Sequence, residues 1–229
     1  MGGNENVCVI IPAYNESKII GDVLANLIKL GYTIVVFDDG STDESWRQAS
    51  LFPVILLRHP CNLGQGAALQ TGISYVLRNL SSEYIITYDA DGQHVADDIP
   101  RLISCLQTGQ YDVVLGSRFL VKNTAVNIRW SRRALLRLAL WFTRVSTGLN
   151  ITDTHNGLRA FTRQAAGSFE ITHNRMAHAS DILAQIANLK LRYCEVPVTV
   201  LYTSYSMAKG QTFLDGFLII WDILTGKMR

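Results

Sequence analysis

Asp89-Ala90-Asp91-Gly92-Gln93 places two carboxylates two residues apart, just where an apolar run ends. Leaving a strand, both can turn toward one divalent cation. Carboxylate oxygens suit Mg2+ or Mn2+, ions that usually share their shell with substrate phosphates. Such an ion would act as a Lewis acid on a leaving diphosphate. The plainer alternative is a capping Asp followed by a turn Asp before Gly92. A second group joins Pro12-Ala13-Tyr14-Asn15-Glu16 to Asp38-Asp39-Gly40-Ser41. A strand-end carboxylate near an aromatic ring can read a base and ribose by hydrogen bonds and stacking. Ordinary turn and cap chemistry uses the same residue types. Asn62-Leu63-Gly64-Gln65-Gly66-Ala67 matches half of a dinucleotide fingerprint, but Leu69 stands where the third glycine belongs. No acidic ribose reader follows at the usual distance, which disfavours a NAD site.

The elements between these groups explain why they would meet. Apolar runs at Val7 to Ile11, Thr33 to Phe37, Val54 to Leu57, Tyr84 to Tyr88 and Asp112 to Leu115 read as buried strands. Helical spacing recurs from Ile19 to Ile28, with Asn15 as a candidate cap and Gly31 as a stop. Thr42 to Ser50, Gly64 to Leu80 and Asp97 to Gln107 also read as helices, Pro100 falling in a first turn. This alternation predicts an α/β fold, a mostly parallel sheet flanked by helices. Ligands of such sheets bind at the carboxyl ends of the strands, where all the polar groups fall. Past Gly116 the alternation fails. Ile128 to Val145 is amphipathic, with Arg129, Arg133, Arg137 and Arg144 on one face and Arg132 beside it. Trp130, Ala134, Leu138, Trp141, Phe142 and Val145 lie opposite. Ala179 to Leu189 reads as a helix, Tyr193 to Leu201 as a strand, and Phe213 to Leu224 as a closing apolar helix.

Composition narrows the class. The 229 residues are 48% hydrophobic and 17% charged, which excludes a disordered chain and allows one large domain. The four cysteines form no C-x-x-C pair, and Cys8 and Cys194 read as buried strand thiols in a reducing compartment. Met1 to Val7 has no apolar core of a signal peptide, and no uninterrupted apolar stretch reaches the ~18 residues of a membrane span. The net charge of +2 hides seven basic and no acidic residues between Val113 and Thr152. That field calls for phosphates or an anionic membrane face. Nucleic acid is a poorer partner, because no aromatic-interleaved platform or DNA-binding motif occurs.

Taken in order, Val9 to Glu16, Asp38 to Asp43, Asn62 to Gly66 and Asp89 to Gln93 resemble the family 2 glycosyltransferases. More narrowly, Val7 to Gln211 is similar to their dolichol-phosphate mannosyltransferase and polyprenyl-phosphate glycosyltransferase branch. The resemblance implies a GT-A, Rossmann-like fold over residues 1–212, with an interfacial basic helix near 128–145 and a C-terminal apolar helix at 213–229. It implies that Pro12, Tyr14, Glu16 and Asp39 bind the nucleoside, with Gly64 and Ala90 beside the donor. Asp89 would touch the nucleotide-sugar, while Asp91 and Gln93 hold metal and diphosphate. Gly116-Ser117-Arg118 matches the family's G-S-R, whose Arg contacts phosphate or acceptor. Asp153 to Phe161 resembles D-x-Q-x-G-x-R-x-F, with His155 where Gln is usual and Arg159 at the family's arginine; the imidazole would add pH dependence. Asp153 is then the candidate base. Tyr205 to Gln211 resembles a flexible acceptor loop whose Lys209 closes on the diphosphate, although an arginine usual just upstream is replaced near Tyr202 and Thr203.

The implied reaction moves a sugar, with inversion, from a GDP- or UDP-sugar to a polyprenyl phosphate at the cytoplasmic membrane face. Peripheral membrane contact and a separate membrane subunit go with it. A phosphate acceptor is already anionic, so Asp153 would only orient or repel. A sugar hydroxyl acceptor on a growing glycan would need Asp153 as base. A non-catalytic nucleotide-sugar binding protein is the third reading.

Overall fold

The computed structural model describes residues 6–121, 130–172 and 178–201, without the side chains of residues 130–136. Seven strands form one sheet: β1 (Val7–Ala13), β2 (Thr33–Asp38), β3 (Ile55–Arg58), β4 (Tyr84–Thr87), β5 (Val113–Ser117), β6 (Arg159–Thr162) and β7 (Tyr193–Pro197). Their order is β3-β2-β1-β4-β6-β5-β7. All run in one direction except β6, which is antiparallel to both β4 and β5.

The helices are α1 (Ile20–Ile28), α2 (Ser45–Ala49), α3 (Gln65–Asn79), α4 (Ile99–Gln107), α5 (Trp130–Thr147), α6 (Arg163–Ser168) and α7 (His178–Asn188). The period-two pattern of β1 sorts the core. Val7, Val9 and Ile11 pack with Ile20, Leu24 and Leu27 of α1 and Leu102 of α4. Cys8 and Ile10 face the other way, onto Leu69, Ile73 and Val76 of α3. Both faces of the sheet are therefore covered, as a parallel sheet requires.

Two details, at Asn15 and at β6, depart from the sequence reading, while the exposure of α5 is compatible with the interfacial helix expected near 128–145. Asn15 does not cap α1; it takes positive φ and its Oδ1 accepts the Thr42 N–H at 2.9 Å, tying the end of β1 to that of β2. The apolar side of α5 is not its buried side. Leu138, Trp141 and Val145 are 52%, 62% and 67% exposed, while Leu140 and Thr143 face the core. Strand β6 has no apolar run to announce it, because it opens on the buried Arg159. The predicted helix over 213–224 and the 205–211 loop lie outside the described residues.

Gly72 shows how closely α3 lies on β1. A Cβ there would fall 2.7 Å from Ile10 Cγ2. Overpacking of this kind costs about 1–3 kcal/mol. Gly72→Ala is expected to lower the urea midpoint accordingly, with an unchanged m-value, in equilibrium denaturation.

Candidate active site

The carboxyl ends of β1, β2, β4 and β5 share one edge of the sheet, and the reversed β6 begins there. Arg159 pairs with Thr87 on one side and Leu115 on the other. The segment before it, 153–158, therefore crosses this edge above β4. Asp89, Asp91, Arg118, Asp153, His155 and Arg159 converge as a result.

At the β2 end, buried Asp39 accepts the Leu63 N–H at 3.0 Å and the Gly64 N–H at 2.7 Å. His59 Nδ1 lies 2.8 Å from Asp39 Oδ1, the oxygen that also accepts the Leu63 N–H, and His59 Nε2 reaches Thr71 Oγ1 at 3.2 Å. Gly64 holds φ +102°, open to glycine alone at low cost, and aims two successive N–H groups at the carboxylate. Asp39 thus fastens the glycine turn to the end of β2. Pro12 is the next-to-last residue of β1, and Tyr14 is exposed just past its end. Glu16 is buried, with its N–H bonded to Ser45 Oγ at 2.6 Å. Asp43 braces the same corner through Ser17 and Ser45. Burial would raise its carboxyl, but those hydrogen bonds outweigh it and hold it at about 2.

The acidic pair is split by its surroundings. Asp89 accepts from Gln65 Nε2 at 2.9 Å, and His94 Nε2 lies 3.1 Å from its second oxygen. Gly157 presses on it so closely that a Cβ there would lie 2.0 Å from Asp89 Oδ2. Burial opposes the charge of Asp89. The His94 hydrogen bond and the charges of His94, His178 and Arg159 overcome this and hold its carboxyl below the ordinary range. Asp91 has one hydrogen bond among the described residues, from the Gln93 N–H at 3.0 Å. Burial, then the charges of Asp89 and Glu16, raise its carboxyl from 3.8 to about 6.

The carboxylate of Asp91 and the side-chain oxygen of Gln93 are donors of the kind that would suit Mg2+ or Mn2+. Among the described residues no cluster of three or more His, Cys, Asp or Glu side chains could hold an ion. The remaining shell would come from Gln93 and substrate phosphates, the usual habit of these ions.

The opposite wall is cationic and tightly paired. Arg118 Nε donates to Asp153 Oδ2 at 2.6 Å, its Nη2 to Oδ1 at 3.2 Å, and its backbone N–H to Oδ2 at 3.2 Å. Both side chains are buried. Glu195 on β7 accepts the N–H groups of Thr152 and Asp153 and fixes this turn. Buried Arg159 donates to the Asn156 carbonyl at 3.0 Å. Burial lowers its guanidinium to about 10, against the pull of Asp89 and Asp153, so it stays charged at neutral pH. His155 Nδ1 lies 2.5 Å from Thr154 Oγ1. Burial first, and then Arg118, Arg159 and His178, lower the imidazole to about 4 despite Asp153. His155 is therefore neutral at physiological pH and does not carry the titration near 6–7 expected of a histidine in that position. Lys209 lies outside the described residues.

Several residues that hold this site were not singled out by sequence. Gln65 and His94 grip Asp89, His59 grips Asp39, and Gly157 makes room for Asp89. Three of them had a signal: Gln65 stands between the glycines of the turn, Gly157 at the glycine of the D-x-Q-x-G-x-R-x-F pattern, and His94 directly after Gln93; His59 had none.

Residues 8–178 match the family described as Glycosyl transferase family 2. This chain belongs to that family. It is therefore a glycosyltransferase, and its sheet is the GT-A type. A UDP-N-acetylglucosamine–dolichyl-phosphate N-acetylglucosaminyltransferase of Methanococcus voltae is 32% identical over 97% of this chain and 96% of its own length. An uncharacterised protein of Methanocaldococcus jannaschii is 38% identical over 98% and 93%. A dolichol-phosphate mannosyltransferase of Pyrococcus furiosus is 28% identical over 92% of this chain and 59% of its own. Among solved structures, glucosyl-3-phosphoglycerate synthase of Mycobacterium tuberculosis superposes with a TM-score of 0.72 at 18% identity, covering 95% and 77%. The same synthase has been solved with Mn2+, UDP and its product, at a TM-score of 0.69 and 18% identity, covering 96% and 78%.

The raised Asp91 yields a signed prediction. A carboxylate whose folded pKa exceeds its unfolded one favours the fold below the unfolded value, and that contribution is lost as pH rises through about 6. Ionised Asp91 therefore burdens the metal-free fold at pH 8. Asp91→Asn is expected to stabilise the chain in EDTA by about 1–2 kcal/mol at pH 8, after allowance for solvent screening. The gain should shrink toward pH 4.5, and Mn2+ should no longer raise the variant's melting temperature. Thermal melts across pH, with and without metal, measure all three.

Proposed function

We propose that the enzyme moves a sugar, with inversion, from a GDP- or UDP-sugar to a polyprenyl phosphate at the cytoplasmic face of a membrane. The observation that carries the acceptor assignment is the Arg118–Asp153 pair. A hydroxyl acceptor needs a base with a lone pair open to it. Asp153 instead spends both oxygens on Arg118 inside the protein. A phosphate acceptor arrives ionised and needs no proton removed. The relatives named for dolichyl-phosphate transfer support the same acceptor.

In this reading Asp39 and the Gly64 turn shape the nucleoside end, with Pro12, Tyr14 and Glu16 beside the base and ribose. Asp89 and Ala90 lie along the ribose and sugar. Asp91, with Gln93, would hold Mg2+ or Mn2+; when bound, the ion supplies positive charge to the leaving diphosphate. Arg159 stays charged beneath the site and biases it toward anions. His155 offers a neutral imidazole to the sugar or the diphosphate. Asp153 orients Arg118 and keeps the acceptor side rigid. Lys209 completes the anion site from the acceptor loop.

Purified enzyme with Mn2+ and a panel of UDP- and GDP-sugars tests this. Transfer to a short polyprenyl phosphate is expected, with none to the corresponding polyprenol or to an oligosaccharide. EDTA should reduce the rate by at least roughly 10²-fold. Transfer to a hydroxyl acceptor at a comparable rate would overturn the assignment.

The exposed stripe of α5 supports peripheral membrane contact. Leu138, Trp141 and Val145 form an apolar line with exposed Arg137 at its side, in a stretch without acidic residues. Apolar and aromatic residues beside arginine suit the headgroup boundary of an anionic bilayer. Trp141→Ala is expected to weaken co-sedimentation with phosphatidylglycerol vesicles several-fold while leaving the melting temperature within about 2 °C, since the side chain packs little in the fold.

A further inference from the structure

Cys105 lies in α4 and Cys194 in β7, 89 positions apart, and their Sγ atoms are 2.7 Å from each other. The two free thiols are in direct contact, and a covalent S–S bond is about 2.05 Å long. The thiols already point at one another, so joining them needs only a small movement of two side chains. Both are only half-buried, which leaves a path for a small oxidant. The remaining cysteines cannot take part without rearrangement. Cys8 is buried within β1 and Cys61 is exposed in the loop after β3.

The surroundings are already stitched along this seam. Arg101 Nη1 donates to the Pro197 carbonyl, and Asp98 Oδ2 accepts the Thr199 N–H at 2.7 Å. Further along, the Leu201 N–H bonds to the Gln93 carbonyl at 2.8 Å, and His94 bridges to Val200. A covalent link at Cys105 and Cys194 would complete a row of contacts that ends beside the acidic pair.

We propose that Cys105 and Cys194 are an oxidisable pair that closes an intramolecular disulfide between α4 and β7. With a small disulfide such as oxidised glutathione, the Cys105 sulfur attacks one glutathione sulfur and expels the other half as thiolate. The Cys194 thiol then gives up its proton, attacks the Cys105 sulfur and expels the second glutathione. Two protein thiols lose two protons and two electrons; one oxidised glutathione becomes two reduced ones. Burial, then the neighbouring Cys105 and Glu195, push the Cys194 thiol up to about 12, and closure quickens as pH rises. The link closes a long loop, the case in which a cross-link restricts the unfolded chain most.

The native full-length chain, incubated with oxidised glutathione at pH 8.5, blocked with a maleimide and digested, provides the test. The expected product is a linked peptide pair containing Cys105 and Cys194, with Cys61 instead carrying glutathione or maleimide. The oxidised protein should melt roughly 5–10 °C higher, and dithiothreitol should reverse this. Cys105→Ser should show neither the linked pair nor the reversible rise. Maleimide on both residues after oxidation would overturn the proposal. So would stable glutathione on either one, or a link joining two separate chains.

Discussion

The contact between the Asp89 carboxylate and the main chain of Gly157 organises this site. A carboxylate can lie against a backbone only where no Cβ intervenes, and here a Cβ would meet it at 2.0 Å. The contact in turn requires the chain at 153–158 to pass over the end of β4. It can do so because β6 runs against its neighbours and starts from the carboxyl edge of the sheet. One reversed strand therefore supplies a second wall to a site that a wholly parallel sheet would leave open.

That wall also decides the electrostatics. Arg159 enters at the head of β6 and is too buried to be a simple surface cation. It helps to keep Asp89 ionised, while Asp91 is buried and repelled by Asp89, more than the Gln93 N–H and His94 offset. Two aspartates two residues apart thus acquire opposite proton affinities. The destabilised one is where a cation would be most welcome.

The buried Arg118–Asp153 pair shows how geometry constrains chemistry. Removing either partner of such a pair leaves an uncompensated charge, a loss of about 3–5 kcal/mol. A residue so committed is well suited to holding a neighbour in place and poorly suited to passing a proton. The same logic applies to His155, which burial keeps neutral through the physiological range. Positive charge on this wall therefore comes from its buried arginines.

Sequence by itself determined the parallel half of the sheet, because each of its strands is a short apolar run closed by polar residues. It also brought Pro12, Asp39, Gly64, Asp89 and Asp91 to one edge, since βαβ units place strand ends together. The order of motifs was enough to point to the family. Tertiary structure alone decided that Arg159 opens a reversed strand, because a four-residue strand led by a buried cation has no periodic signal. It alone revealed the grips of His59, Gln65 and His94 on the aspartates, and the pairing of Cys105 with Cys194. Those contacts join residues far apart in the chain or fix proton affinities through burial, and neither quantity is written in local spacing.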